Sequence, residues 1–284
     1  MRKLILLMNC PDQKGIIASV TNFFHKRGGN IVYIDQYVDR IQNAFFMRIE
    51  VEAVLDQDDY EEINSNFQNE LGVKFHVKYD FYLADILPKM GVYVSKYDHC
   101  LYDILAQQSS GKLRCEIPFI ISNHNDLEHI ANQFNILFYH IPVSRETKEE
   151  AEEKQLVLLK KYGVNFIVLA RYMQIVSKKV IDVFPSKIIN IHHSFLPAFP
   201  GAKPYHSAFE RGVKIIGATS HYVTEELDAG PIIEQDTIRV SHGHDVNDFI
   251  LKGQDLERIV LLRALKLHCE RKIMSYNNKT IVFN

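Results

Sequence analysis

Short apolar runs alternate with polar segments along the whole chain, and their spacing predicts its secondary structure. A period of two residues indicates strands, and a period near 3.6 residues indicates helices. In the first part the predicted order is strand, helix, strand, strand, helix, strand, at residues 3–8, 15–27, 30–39, 44–52, 58–71 and 73–79. This is the order of a ferredoxin-like βαββαβ unit. Asp12 is predicted to cap the first helix, just ahead of Gly15.

Beyond residue 84 strands and helices alternate, which predicts a largely parallel sheet with crossover helices. The predicted strands cover residues 89–95, 115–122, 136–140, 166–170, 187–192 and 215–223. The predicted helices cover residues 100–108, 126–134, 148–162, 177–184, 205–211 and 245–269, followed by a short tail. We therefore predict an α/β protein with a ferredoxin-like domain at residues 1–84 and an open, mostly parallel, Rossmann-like domain at residues 85–284. Ligands of such open sheets bind beyond the carboxyl ends of the strands.

Composition and charge narrow the classes of function. A content of 46% hydrophobic and 24% charged residues is typical of a globular protein. The formal net charge of -2 creates no field that would attract nucleic acid or an anionic membrane, so we predict neither as a partner. The four cysteines are scattered without a CxxC pair, and the apolar start of the chain ends at a Pro-Asp turn without a cleavage site. Both features favour a cytoplasmic protein.

The strongest chemical signal is NIHHSFLPAFPGAKPYHSAFERG at residues 190–212, followed by GATSHYVTEELDAGP at residues 217–231. Asn190 and His192 end a predicted strand, and alternation places these side chains on one face and His193 on the other. Asp228 lies in a polar loop that can return its side chain to the end of that strand. Together an amide, an imidazole and a carboxylate can transfer or hydrolyse a small acyl group. From the residues alone, a structural role for His192 and Asp228 is as well supported as a catalytic one.

Other chemistries fit the sequence less well. A metal site is conceivable because imidazoles are frequent here, at His192, His193, His206, His221, His242 and His244. Adjacent imidazoles on a strand point to opposite faces, however, and no HxxxH or HExxH spacing is present. The chain also contains no GxSxG nucleophile elbow, and the turn after residues 89–95 has neither a GxGxxG nor a GxxxxGK[ST] pattern. Metal-free catalysis is therefore favoured.

The N-terminal segment CPDQKGIIASVTNFFHKRGGNI resembles the opening of an ACT domain, and the resemblance covers about residues 1–84. ACT domains are regulatory modules that pair with one another and often bind a small amino acid. The resemblance implies that Asp12, Gly15 and Asn30 lie near an effector or dimer site. It also implies a homo-oligomer, either dimer or tetramer, with glycine or methionine as effector. The alternative is that the module serves oligomerisation alone.

Residues 88–284 resemble the folate-dependent formyltransferases, on Asn190-Ile191-His192, Ser194-Phe195-Leu196-Pro197 and the HYVTEELDAGPII block. The resemblance implies a catalytic triad of Asn190, His192 and Asp228. It also implies that the folate lies against two segments that follow predicted strands. Their residues are Met173, Gln174, Ile175, Val176, Thr224, Glu225, Glu226 and Leu227.

The sequence also discriminates among the members of this superfamily. Glycinamide ribonucleotide transformylases carry a Gly-Ser-Asn phosphate loop after their first strand, where this chain has residues 94–100, VSKYDHC. A tRNA formyltransferase is expected to carry a further C-terminal domain and a basic surface. An ACT module followed by HHSFLPAFPGAKPYH resembles instead the formyltetrahydrofolate deformylase family.

This resemblance implies hydrolysis of 10-formyltetrahydrofolate to tetrahydrofolate and formate, with no metal and no tightly bound cofactor. Such an activity supplies formate for purine synthesis and balances the one-carbon folate pool. Two alternatives stay open at this point. One is transfer of the formyl group to an amine acceptor, as in the glycinamide ribonucleotide transformylases. The other is a non-catalytic sensor of folate or amino acids.

Overall fold

The protein is described here by a computed structural model that covers residues 1–54, 57–198 and 204–284. The described chain divides into two compact units. The first comprises residues 1–87 together with 271–274 and 281–284, and the second comprises residues 88–270 and 275–280. The domain boundary after residue 84 stays a prediction. Among the described residues no helix is both long and apolar enough to cross a membrane.

The first unit has the predicted ferredoxin-like order. Its elements are β1 (Arg2–Pro11), α1 (Ile16–His25), β2 (Asn30–Asp39), β3 (Ala44–Ala53), α2 (Gln57–Phe67), a π-helical turn (Gln68–Gly72), α3 (Val73–Phe75) and β4 (Lys78–Leu83). The strands form an antiparallel sheet in the order β2-β3-β1-β4. One sheet face and the helices enclose an apolar core that includes Leu6, Phe23 and Phe67.

Two sequence predictions for this unit are wrong in detail. The strand predicted at residues 73–79 begins only at Lys78, because α3 continues the helical run to Phe75 and the left-handed His76 ends it. Asp12 does not cap α1, since the N-cap is Gly15 and no side chain bonds to this helix end. Gly15 has φ 91°, a left-handed conformation that favours glycine. The Asp12 amide instead donates to the carbonyl of Asn43, 2.9 Å away.

The second unit is an α/β domain built on a seven-stranded sheet. Its strands are β5 (Met90–Val94), β6 (Phe119–Ser122), β7 (Leu137–His140), β8 (Phe166–Leu169), β9 (Ile188–His192), β10 (Ile215–Tyr222) and β11 (Ile232–Arg239). The sheet order is β11-β10-β9-β8-β5-β6-β7, and β9, β8, β5, β6 and β7 are parallel. The helices are α4 (His99–Ser109), α5 (Glu128–Gln133), α6 (Lys148–Tyr162), α7 (Lys178–Val183), α8 (Pro204–Arg211) and α9 (Val246–Cys269). The predicted mostly parallel α/β fold is confirmed.

Two features of the second half of the chain were missing from the sequence prediction. Strand β10 runs antiparallel to β9, and the unpredicted β11 pairs antiparallel with β10. β11 lies at the sheet edge and is largely half-exposed, so it lacks the apolar run of the central strands. The predicted tail forms a hairpin of β12 (Ile273–Tyr276) and β13 (Lys279–Val282), with Asn277 left-handed at φ 46° in its turn. Asparagine tolerates that conformation, which suits a tight hairpin.

Candidate active site

The triad residues predicted from the sequence lie together at one edge of the sheet. Asn190 is the middle residue of β9, and His192 ends that strand. Asp228 lies in the loop between β10 and β11, with its backbone left-handed at φ 55°. Its Oδ2 lies 3.2 Å from Nδ1 of His192. An imidazole N–H is thus directed at a carboxylate, which fixes the ring and leaves its other nitrogen for chemistry.

The free nitrogen of His192 is placed for a reacting group. Its Nε2 is buried and has no hydrogen-bond partner within the described part of the chain. A buried polar atom without a partner is rare in a folded protein and commonly marks a functional site. A hydrogen bond from His192 and the nearby imidazole of His221 hold the pKa of Asp228 well below its usual range, although partial burial opposes this. Asp228 is therefore ionised at neutral pH.

His221 is a further member of the site that sequence reasoning placed only among possible metal ligands. It faces Asn190 across the antiparallel pair of β9 and β10. The Nδ1 of His221 lies 2.9 Å from the carbonyl of Tyr222, to which it donates. Its Nε2 accepts from Nδ2 of Asn190 at 3.3 Å and lies 3.6 Å from Oδ1 of Asp228. This contact sets the amide of Asn190 so that its second N–H remains available.

These residues line a cavity of about 430 Å³, which is large enough for part of a drug-sized ligand. Of the predicted folate contacts, seven line it: Met173, Gln174, Ile175, Val176, Thr224, Glu225 and Leu227. Glu226 does not line the cavity and is exposed. Further lining residues that were not predicted include Arg171, Tyr172, His193 and Val223. The cavity has apolar walls and a polar end, formed by the triad and His221.

His193, which alternation placed on the opposite face from His192, also lines this cavity. The His193 ring lies 5.2 Å from that of His192 and 5.8 Å from that of Tyr205. His206 is exposed on α8. Residues 199–203 of the HHSFLPAFPGAKPYH motif lie outside the described residues. The backbone amide of Leu196 donates a hydrogen bond to Thr219 Oγ1 at 3.0 Å.

Comparisons with known proteins identify the family of this chain. A family model for formyl transferase matches residues 88–265, and one for the ACT domain matches residues 4–70. Formyltetrahydrofolate deformylase from Synechocystis sp. is 50% identical over 98% of this chain and 97% of its own. The Bacillus subtilis protein of the same name is 44% identical over 98% and 93%. The chain belongs to the formyltetrahydrofolate deformylase family.

A solved member of the deformylase family has nearly the same backbone. The crystal structure of a formyltetrahydrofolate deformylase from Pseudomonas syringae pv. tomato superposes with a TM-score of 0.95 at 41% identity. It covers 100% of this chain and 95% of its own. The predicted family and fold class are therefore confirmed.

In this deformylase-family chain, buried polar groups anchor the cavity wall at residues 171–177. The Met173 amide donates to Oγ of Ser95 at 2.9 Å, and that hydroxyl donates to Oδ1 of Asn123 at 2.6 Å. The amide of Ser177 donates to Oε1 of Glu152 at 2.9 Å. Ser95 and Glu152 are both buried. The wall thus has a fixed backbone, because moving it would leave buried polar atoms without partners.

The effector residues predicted for the ACT module are only partly together. Asp12 and Gly15 line a cavity of about 350 Å³ with Gln36, Val38 and Phe45 among its other walls. Asn30 does not line this cavity; it is exposed at the start of β2 and pairs with Glu52 of β3.

Proposed function

We propose that this chain hydrolyses 10-formyltetrahydrofolate to tetrahydrofolate and formate, which supplies formate for purine synthesis and balances the one-carbon folate pool. The observation that carries the proposal is the unpartnered Nε2 of His192, held in the cavity by the contact of its Nδ1 with Asp228. Membership of the deformylase family adds support. The substrate is the folate itself, and the proposal requires no tightly bound cofactor or metal.

The proposed first step is the attack of water on the formyl carbon. The formyl oxygen gains negative charge, and the free N–H of Asn190 and the protonated Nε2 of His192 donate to it. The carboxylate of Asp228 orients the water and accepts its proton. Because Asp228 is ionised at neutral pH, both of its carboxylate oxygens can act as hydrogen-bond acceptors for the water.

Collapse of the tetrahedral intermediate breaks the bond between the formyl carbon and nitrogen. The leaving nitrogen takes the proton that Asp228 received, and tetrahydrofolate is formed. The remaining fragment is formic acid, which loses its proton to solvent and becomes formate. One water is consumed for each formyl group, and no amine acceptor takes part.

The decisive test is formate release from 10-formyltetrahydrofolate in buffer without any amine. We expect stoichiometric formate and tetrahydrofolate from the wild type, measured by a coupled formate assay and by folate absorbance. Adding glycinamide ribonucleotide is expected to change neither rate nor product. Formyl product that appears only with the amine would identify a transformylase, and folate binding without turnover would identify a sensor.

For the first unit we propose a small amino-acid effector, glycine or methionine, bound in the cavity lined by Asp12 and Gly15. The cavity combines a carboxylate, which can pair with an ammonium group, with a glycine that lets a ligand approach the backbone. The proposal includes a cytoplasmic homo-oligomer, dimer or tetramer.

Calorimetric titration with each amino acid tests the effector. Heat of binding is expected in the wild type, and Asp12→Asn is expected to weaken it about tenfold or more. Asp39→Asn, in the same unit but outside that cavity, serves as the matched control. Absence of heat with both ligands, together with unchanged activity, would leave the module with oligomerisation alone.

A further inference from the structure

One cation lies among the walls of the catalytic cavity. Arg171 follows β8 by two residues, with its backbone left-handed at φ 61°, and its side chain is only 9% exposed. In the parallel register Leu169 of β8 is opposite Asn190 of β9. Arg171 itself lines the cavity that holds His192 and Asp228.

The guanidinium of Arg171 contacts Glu257 and Tyr97, but these contacts do not use all of its N–H donors. Its Nε lies 3.4 Å from Oε2 of Glu257, and its central carbon lies 4.8 Å from the ring centre of Tyr97. Within residues 1–54, 57–198 and 204–284 its buried Nε has no hydrogen-bond partner. A guanidinium has five N–H donors in a planar fork. The ion pair uses one edge of that fork, so the terminal nitrogens remain for a ligand.

Glu257 is built to hold this arginine in place. It is fully buried on α9, and its Oε1 accepts from the Tyr205 hydroxyl at 2.6 Å. Its Oε2 lies 2.8 Å from Nε2 of His99. Burial raises the pKa of Glu257, but the hydrogen bond from His99 and the charge of Arg171 outweigh burial and hold that pKa below its usual value. The ionised carboxylate therefore fixes Arg171.

A glycine makes room for this arrangement. A Cβ at Gly253, one turn before Glu257 on α9, would lie 2.1 Å from the Tyr205 ring. His99, Cys100 and Glu257 also form a group whose ligand atoms lie within 4.8 Å of one another. A metal there would have to compete with Tyr205 and Arg171 for the two carboxylate oxygens and would replace the direct contact between His99 and Glu257. The geometry therefore favours an arginine support over a metal centre.

The charges lining the cavity show why a cation is needed. Asp228 contributes a negative charge, Glu225 contributes one that is paired with Lys178, and among the described lining residues Arg171 carries the one permanent positive charge. The formyl group of the substrate is neutral, whereas formate is an anion. After the carbon–nitrogen bond breaks, formate is released next to the ionised Asp228, which repels it. A guanidinium matches both oxygens of a carboxylate in a bidentate pair.

We propose that Arg171 is the formate-binding residue of this site, with Glu257 as the positioning residue that holds its guanidinium toward the cavity. This inference rests on the proposed hydrolysis, since that reaction creates the anion. The terminal N–H groups of Arg171 bind the two formate oxygens as the anion forms, and this balances the charge of Asp228. The neutral formyl group of the substrate gains little from the same contact.

Inhibition by formate distinguishes binding of the product anion from binding of the neutral substrate. In Arg171→Gln we expect the inhibition constant for formate to rise about 10-fold to 100-fold, the effect of losing charge-assisted hydrogen bonds. The KM for 10-formyltetrahydrofolate is expected to change much less. Arg171→Lys, which keeps the charge beside Glu257 but lacks the planar fork, is expected to fall between wild type and Arg171→Gln. The exposed Arg145→Gln, which removes one charge outside the cavity, is expected to match wild type.

Direct binding of formate provides a readout that needs no turnover. For wild type and for Arg145→Gln, the Tm is expected to be higher in sodium formate than in sodium chloride of equal ionic strength. For Arg171→Gln, the Tm is expected to be the same in the two salts. Equal formate inhibition in folded wild type and Arg171→Gln, or a parallel rise of the inhibition constant and KM, would overturn the assignment. If the wild type releases no formate from the folate, the proposed function fails, and the Tm comparison still decides whether Arg171 binds formate.

Discussion

Replacing Asp228 by Asn is expected to lower kcat by about 10²-fold to 10⁴-fold, the usual contribution of a positioned acid–base group. The variant loses the carboxylate that holds Nδ1 of His192 and accepts the proton of the attacking water. Asparagine tolerates the left-handed backbone of this position, at φ 55°, so the loop is expected to keep its conformation. Steady-state kinetics with 10-formyltetrahydrofolate measures kcat, and a circular dichroism spectrum checks that the variant is folded.

Asp126→Asn is the matched control, because Asp126 is exposed and lies outside the cavity. It is expected to keep wild-type kcat and KM. Turnover of Asp228→Asn within about twofold of wild type would remove Asp228 from the mechanism.

The same substitution changes how stability depends on pH. The pKa of Asp228 is lower in the folded chain than its unfolded value of about 3.9. Its contribution to stability is therefore fully present above that unfolded value and is lost as the pH falls toward the folded pKa. The difference in unfolding free energy between wild type and Asp228→Asn is expected to shrink as the pH falls below about 4. Urea unfolding above and below this pH measures it.

Local patterns in the sequence were sufficient for most of the fold and for part of the site. Alternation along residues 187–192 placed Asn190 and His192 on one face, and both line the cavity. The identity of the third residue required the family resemblance, since many loop aspartates have the same local pattern. Apolar runs similarly predicted the buried parallel strands, whose side chains are apolar on both faces.

Features that depend on residues far away in the sequence could not be predicted from local patterns. His221 acts through Asn190, which faces it from another strand in an antiparallel pairing that the sequence did not predict. Arg171 depends on Glu257, which is 86 residues later in the chain, as 257 − 171 shows. Nothing in the local pattern of either residue indicates the contact. Edge strand β11 was missed because its side chains are mostly half-exposed.

The loop that carries Asp228 depends on a glycine two residues later. A Cβ at Gly230 would lie 1.9 Å from the carbonyl oxygen of Tyr222 and 3.0 Å from its carbonyl carbon. These are backbone atoms of β10, which is hydrogen-bonded on both sides, so they cannot move aside as a flexible side chain would. Gly230 therefore sets the distance between the loop and β10. Through that distance it also sets the position of Asp228 relative to His192.

Gly230→Ala is expected to lower the free energy of unfolding by about 3 kcal/mol or more, because the clash must be relieved by shifting backbone. It is also expected to lower kcat, since any shift of the loop lengthens the 3.2 Å contact between Asp228 and His192. Urea unfolding and steady-state kinetics measure the two effects. Gly243→Ala is the control: a Cβ there has only Ser241 Oγ nearby, at 3.8 Å, and its stability is expected to stay within about 0.5 kcal/mol of wild type. If both alanine variants were equally stable and active, the close approach at Gly230 would not be what positions Asp228.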